Sequence, residues 1–384
     1  SDLGGGGGGD IQELTIPEGW SGISTCVVPD VPDVEIMFEP IYNELVMLYN
    51  QVGLYWPGQN INTLGEWNVY SGYTIKVTQD VNLVITGTLV AERNVFIKPG
   101  WNMVPVFSNV EALPVLLSLP GFVVAKGIAT NEILWPEFNI ESLEMLNVGK
   151  AYLVYSTMPG LLVYPSTDEK TTFRKPASNT NINSPWNAIA FTANSHLVAF
   201  SGDYNTTLEP GDFIGAFTKD GLCAGWKEIA GNAKPFALIV NGDDPLTEVA
   251  DGFAENEQLQ FRVYKSSSAK IYDLSGTWNP EMNAGIFTTN GLSEIIAVKA
   301  AITDVLPASD THPVIFPNPS CGIITVGEIT TKSVIQVITP SGESVFSTEL
   351  FTPSQIDLTF LPSGIYFISI KTDKDMFFEK LIIK

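Results

Sequence analysis

The side chains best able to do chemistry are few in this 384-residue chain, and they lie far apart. There are two histidines, His196 and His312, 116 residues apart in different sequence modules, so a shared nucleophile–base arrangement is not indicated. Three cysteines, Cys26, Cys223 and Cys321, show no C-x-x-C spacing and read as free thiols rather than as a disulfide framework or zinc site. No glycine-rich phosphate loop follows a strand, because the hexaglycine of SDLGGGGGGD stands at the start with no helix pattern after it. Asp243, Asp244 and Asp251, with Glu255 and Glu257 close behind, crowd one turn-rich stretch. Hard cations take several oxygen ligands from flexible loops, so calcium on Asp243, Asp244 and Asp251 is the one cofactor this pattern suggests; turn formation by Asp and Asn is the competing reading. Tryptophans carry the remaining possibility. Trp56, Trp67 and Trp226 sit beside turn residues and are the candidates for exposed aromatic platforms that stack on a glycan.

The elements that must position these residues are strands. The composition is 45% hydrophobic and only 16% charged, with 33 Gly and 25 Pro, and it is rich in β-branched residues, so the chain reads as mainly β with many turns. Its formal charge of −22 excludes the basic face that nucleic acid requires. No continuous apolar run is long enough for a transmembrane helix, and no signal peptide is recognisable. The chain starts without Met, which reads as a processed product or as one part of a longer polypeptide.

Internal echoes divide the first half. PEGWSGIS (17–24) returns as KPGWNMVP (98–105), and LYWPGQNINTLGEWNVYSGYTIKV (54–77) returns as ILWPEFNIESLEMLNVGKAYLVY (133–155). Trp20 then matches Trp101, Trp56-Pro57 matches Trp135-Pro136, and Tyr73 matches Tyr152. The expected plan is a glycine tether (1–10), tandem β-rich repeats (11–90 and 91–166), a linker (167–185), a β-sandwich module (186–300), a second linker (301–312) and a small Ig-like sandwich tail (313–384). The matched tryptophans read as core anchors, because their neighbours in the echo are apolar.

Two resemblances extend this plan. SHLVAF, LEPGDFIGAFTKDGLCAGW, NGDDPLTEVADGFAENEQLQFRVY and IIAVKA, within residues 186–300, resemble a β-sandwich module common in secreted proteins of the Bacteroidota, to which no catalysis attaches. Residues 313–384 resemble the type A C-terminal sorting domain of proteins exported by the type IX secretion system. The matching residues are Pro317, Asn318, Pro319, Gly322, Gly342, Asp357, Leu361, Pro362, Gly364, Tyr366 and Lys380. That resemblance implies export through the periplasm to the cell surface or medium, with the secretion machinery as partner and surface lipopolysaccharide as a possible attachment. The physical expectation beside it is that the last strand offers a free backbone edge for a receptor to extend.

The whole chain is therefore expected to be a secreted, non-catalytic surface protein. It would be an adhesin or structural filament component that contacts glycans or copies of itself, or else a carbohydrate-binding accessory region of a larger secreted enzyme.

Overall fold

The computed structural model describes residues 9–165, 184–186, 189–203, 207–230, 235–305 and 315–384, apart from 319, 321, 328–331, 340–343, 353 and 373–375. The expected linker 167–185, all but residues 9 and 10 of the tether, and His312 thus lie outside the described residues, save 184 and 185 of that linker. The chain forms two compact units, Ser1–Asp304 and Val305–Lys384. No described helix is long and apolar enough to cross a membrane.

Period-two alternation builds the strands. In Asp10–Ile16 the residues Gln12, Leu14 and Ile16 are buried while Ile11, Glu13 and Thr15 face outward. The first half holds two five-stranded sheets with the same plan. One runs Gly19–Ile23, Tyr73–Val77, Leu45–Tyr49, Leu54–Trp56, Ile61–Asn62; the other runs Gly100–Pro105, Ala151–Ser156, Phe122–Gly127, Ile133–Trp135, Ile140–Glu141. After each Trp-Pro a 3-10 turn closes on a left-handed asparagine, Asn60 (φ 55°) and Asn139 (φ 51°), a conformation that asparagine tolerates better than most residues. The helical segments of the two repeats are short. Val34–Phe38 is capped by the Asp33 carboxylate, which accepts from the N–H groups of Glu35 and Ile36, and its counterpart is Ala112–Leu117.

The segment beyond residue 186 is a seven-stranded sheet ordered Cys223–Glu228, Phe213–Phe217, Gln260–Lys265, Lys270–Trp278, Leu292–Val305, Ser195–Asp203, Phe236–Asn241. Its two outermost strands meet through the Asn241 side-chain amide, which donates to the Ala224 carbonyl at 3.0 Å. The sheet thereby wraps around a core centred on Phe200, Ile214, Phe253 and Val263. The apolar segment WNAIAFTA (186–193), whose composition suggests a first strand, carries no strand among its described residues.

These three regions share surfaces inside the first unit. Val124, Trp135 and Ile140 of the second repeat pack with Leu197, Ala199 and Ile239 of the seven-stranded sheet in one apolar cluster. The Ser24 hydroxyl joins the repeats, donating to the Lys150 carbonyl at 2.5 Å and accepting from the Val106 N–H at 3.1 Å. Lys126, fully buried, crosses from the second repeat to donate to the Ser195 carbonyl (2.9 Å) and hydroxyl (2.8 Å), with its ammonium 5.3 Å from the Trp101 ring. Burial drives its pKa down to about 7.

The second unit has a three-stranded sheet (Ile315–Phe316, Ile323–Val326, Ser354–Asp357) and a four-stranded sheet ordered Ser344–Leu350, Ser333–Ile338, Gly364–Lys371, Met376–Ile383. Ile324, Ile335, Val337, Leu358, Ile368 and Leu381 fill the space between them. This is the small sandwich expected of the tail.

Candidate functional site

Two places gather the residues of interest, one in each unit. In the second unit the terminal hairpin pairs Gly364–Lys371 with Met376–Ile383 over eight residue pairs, from Gly364↔Ile383 to Lys371↔Met376. On this outer strand alternate residues turn their N–H and C=O away from the hairpin partner, and residues 380, 382 and 384 are the ones that do so near the end. Those groups are taken. The Asn318 side-chain amide donates to the Lys380 carbonyl at 2.6 Å, and its Oδ1 accepts from the Ile382 N–H at 3.0 Å. Ser320 continues the cover: its N–H donates to the Ile382 carbonyl, and its carbonyl accepts from the Lys384 N–H, both at 2.8 Å. The expectation of an open backbone edge over the last residues is corrected accordingly. Asn318 and Ser320, more than sixty positions earlier, close the edge from Lys380 to Lys384.

The other sorting residues support this turn rather than meet a ligand together. Gly322, at φ +102°, accepts the Leu358 N–H on its carbonyl at 2.6 Å, and an added Cβ would come within 2.7 Å of Thr359 Cα. The Asp357 carboxylate accepts from the Thr359 hydroxyl and N–H, bonds that hold its pKa below the ordinary value. Leu361 and Tyr366 are buried, and the Tyr366 hydroxyl donates to the Pro362 carbonyl at 2.9 Å, fixing the loop that leads to Gly364. Pro317 is exposed and follows Phe316 through a cis peptide. Pro319 and Gly342 lie outside the described residues. Sequence reasoning missed Ser320, whose buried hydroxyl accepts from Gly322 N–H and donates to the Ile323 carbonyl. A polar residue between Pro319 and Gly322 was the available signal.

In the first unit, an open groove of about 470 Å³ lies between the first repeat and the seven-stranded sheet. A cross-strand row builds one side: Trp20 pairs with Lys76, and Lys76 pairs with Met47. Tyr49 stands edge-on to Trp20 with ring centroids 6.0 Å apart. Leu54 and Asn50 extend this wall, and Thr192, Asn194 and Leu246 form the other. Asp244 sits at the junction, only 4% exposed. Its Oδ2 accepts from the Trp20 indole N–H (2.7 Å) and Lys76 Nζ (2.6 Å), and its Oδ1 accepts from the Leu246 N–H (3.0 Å). Burial alone would raise its pKa, but the bonds from Lys76 and Trp20 outweigh burial and hold the carboxyl below its ordinary value. The groove wall therefore carries a compensated ion pair beside two aromatic rings.

Two sequence expectations are corrected here. Asp243, Asp244 and Asp251 are spent on the loop and on Lys76: Asp243 Oδ1 accepts from Asp251 N–H, and Asp251 Oδ1 accepts from Asp244 N–H. Among the described residues no three His, Cys, Asp or Glu side chains converge as a metal set, so these aspartates do not assemble the expected calcium site. Trp67 is only 5% exposed, stacked on Tyr73 at 3.8 Å with its indole N–H on the Thr25 hydroxyl, and cannot meet a glycan. Trp56 and Trp226 are half-buried, and neither lines the groove. Trp20, read from sequence as a core anchor, does line it.

His196 is fully buried. Its Nδ1 accepts from the Thr288 N–H at 3.1 Å and its Nε2 faces the Ser293 hydroxyl at 2.9 Å, while burial pushes its pKa down to about 4.

Compared with known proteins, residues 314–384 match the family described as the secretion system C-terminal sorting domain. The chain is accordingly a type IX-sorted secreted protein of the Bacteroidota type, found at the cell surface or outside the cell. No curated protein matches the chain.

Proposed function

We propose, from the premise that the tail carries this protein out of the cell, that the first unit is a non-catalytic surface binding module, an adhesin whose groove holds a neutral saccharide unit. The carrying observation is the groove itself. A space of about 470 Å³ falls within the range of small-ligand sites, which combine apolar walls with a few placed polar groups. Trp20 and Tyr49 supply ring surface for the apolar face of a pyranose, while Asn50 and Asn194 put amide groups within the same walls. Because Lys76 neutralises Asp244, the site favours an uncharged ligand over an ionic one.

Glycan-array binding by the purified chain tests this reading. Tyr49→Ala, which removes one ring without touching the Asp244 bonds, should reduce the strongest signals by about tenfold, equivalent to roughly 1.4 kcal/mol. An array with no signal, or one that Tyr49→Ala leaves unchanged, would reject the saccharide groove.

A further inference from the structure

The closed terminal edge leaves a different part of the tail available to a partner. In the four-stranded sheet the register places Ile365 opposite Ile382 and Phe367 opposite Lys380, and on its other side Phe367 faces Ile338. Residues directly opposite on a sheet share a face, so these side chains form one strip on the side away from the core. Ile365 is 48% and Phe367 41% exposed, Ile338 and Ile382 are half-buried, and Lys380 and Lys371 stand exposed on the same side. Glu349 shares this side, and its carboxylate is taken by Lys332 at 3.0 Å. On a chain of net charge −22, this strip is apolar with cationic ends, and among the described residues neither lysine is in a salt bridge.

We infer that the export machinery reads the outer face of this sheet, through Ile365, Phe367 and Ile382 flanked by Lys371 and Lys380, with a protein surface that is apolar at its centre and carboxylate-bearing at its margins. Strand addition over Lys380–Lys384 is blocked, since Asn318 and Ser320 already hold those backbone groups. An apolar centre with charged margins matches the general anatomy of protein–protein interfaces. Complementary charge at the margins speeds encounter and sets register, which suits a label that must be recognised among many other exported surfaces. This inference rests on the sorting-domain assignment and adds the surface and the chemistry of its reader.

The test is export of the full chain in a host with the type IX apparatus, scored as the fraction outside the cell against the fraction held in the periplasm. Four variants are compared with the parent: Ile365→Ser with Phe367→Ser, Lys380→Glu, Lys380→Arg, and a chain lacking 314–384. The double variant changes only exposed side chains, and unaltered protection of the Ile382 amide against hydrogen exchange shows that the tail still folds. The expected result is about a tenfold or greater fall in export for the folded double variant, with a smaller fall for Lys380→Glu that Lys380→Arg does not reproduce. Parental export of the folded double variant overturns the inference while leaving the sorting assignment intact. Parental export of the chain lacking 314–384 overturns the sorting assignment itself. Binding of the purified parent, but not of the double variant, to phosphatidylglycerol vesicles would overturn the protein reader in favour of an anionic lipid surface.

Discussion

Lys126 offers the sharpest quantitative prediction about the first unit. It lies wholly buried between the second repeat and the seven-stranded sheet, and among the described residues its amine bonds only to the Ser195 carbonyl and hydroxyl, both uncharged. With its pKa near 7 in the folded protein against an ordinary value of 10.5, it is largely neutral when folded and protonated when unfolded across that window. The unfolded chain then binds more protons, so stability rises with pH from about 7 to 10.5, by up to about 1.4 kcal/mol per pH unit. The full span of about 3.5 units corresponds to roughly 5 kcal/mol, all of it missing below pH 7. Lys126→Met keeps the aliphatic stem and removes the titration. It also removes both bonds from Lys126 to Ser195, whose carbonyl still accepts from the Asn290 N–H at 2.9 Å, at a cost of about 1–3 kcal/mol that does not depend on pH. Urea unfolding of parent and variant, followed by tryptophan fluorescence at pH 6, 7, 8 and 9, isolates the effect in the difference between the two. The variant should gain on the parent as pH falls from 9 to 7, by about 1 kcal/mol per unit, and the gap should level off below pH 7. Parallel stability profiles for the two proteins over pH 7–9 would refute the buried neutral lysine.

Other consequences are smaller in scope. His196→Gln should remove stability that the parent loses as pH falls from about 6.5 towards 4, because the folded ring resists protonation there; acid unfolding midpoints compare the two. Asn318→Ala removes two side-chain bonds to the terminal strand, about 1–3 kcal/mol of local stability in all, and the Ile382 amide should exchange faster with solvent than in the parent. Gly22→Ala would place a methyl carbon 2.5 Å from the Ala151 carbonyl oxygen, so the junction between the repeats should loosen, with a lower melting temperature as the readout. Asp244→Asn should expose a pH-dependent loss: the parent carboxylate, held below its ordinary value, contributes stability that disappears as pH drops through its folded pKa, and the variant should lack that acid-side step.

The β character and the small terminal sandwich were legible because they follow from local alternation and turn residues, as in Tyr73-Ile75-Val77 and Leu361-Pro362-Ser363-Gly364. What stayed hidden depends on partners distant in the chain. Nothing in FVVAKG marks Lys126 as buried, since its bonds are to Ser195, 69 positions later. Trp67, flanked by Gly65 and Glu66, has the local look of an exposed residue, yet Phe38 and Tyr73 enclose it from both sides. Trp20 reads as a core anchor by its echo with Trp101, and only the arrival of Asp244 from 224 positions away makes it a groove wall. The terminal edge behaves likewise. Period-two patterning identifies the last strand, but the residues that close it belong to a turn at the other end of the tail.

The central claim is that residues 314–384 are a transferable export label. Fused to the C-terminus of an unrelated periplasmic reporter, in a cell with a working type IX apparatus, they should carry the reporter outside the cell, where externally added protease can reach it. A reporter that stays periplasmic with the tail intact and folded would contradict the account.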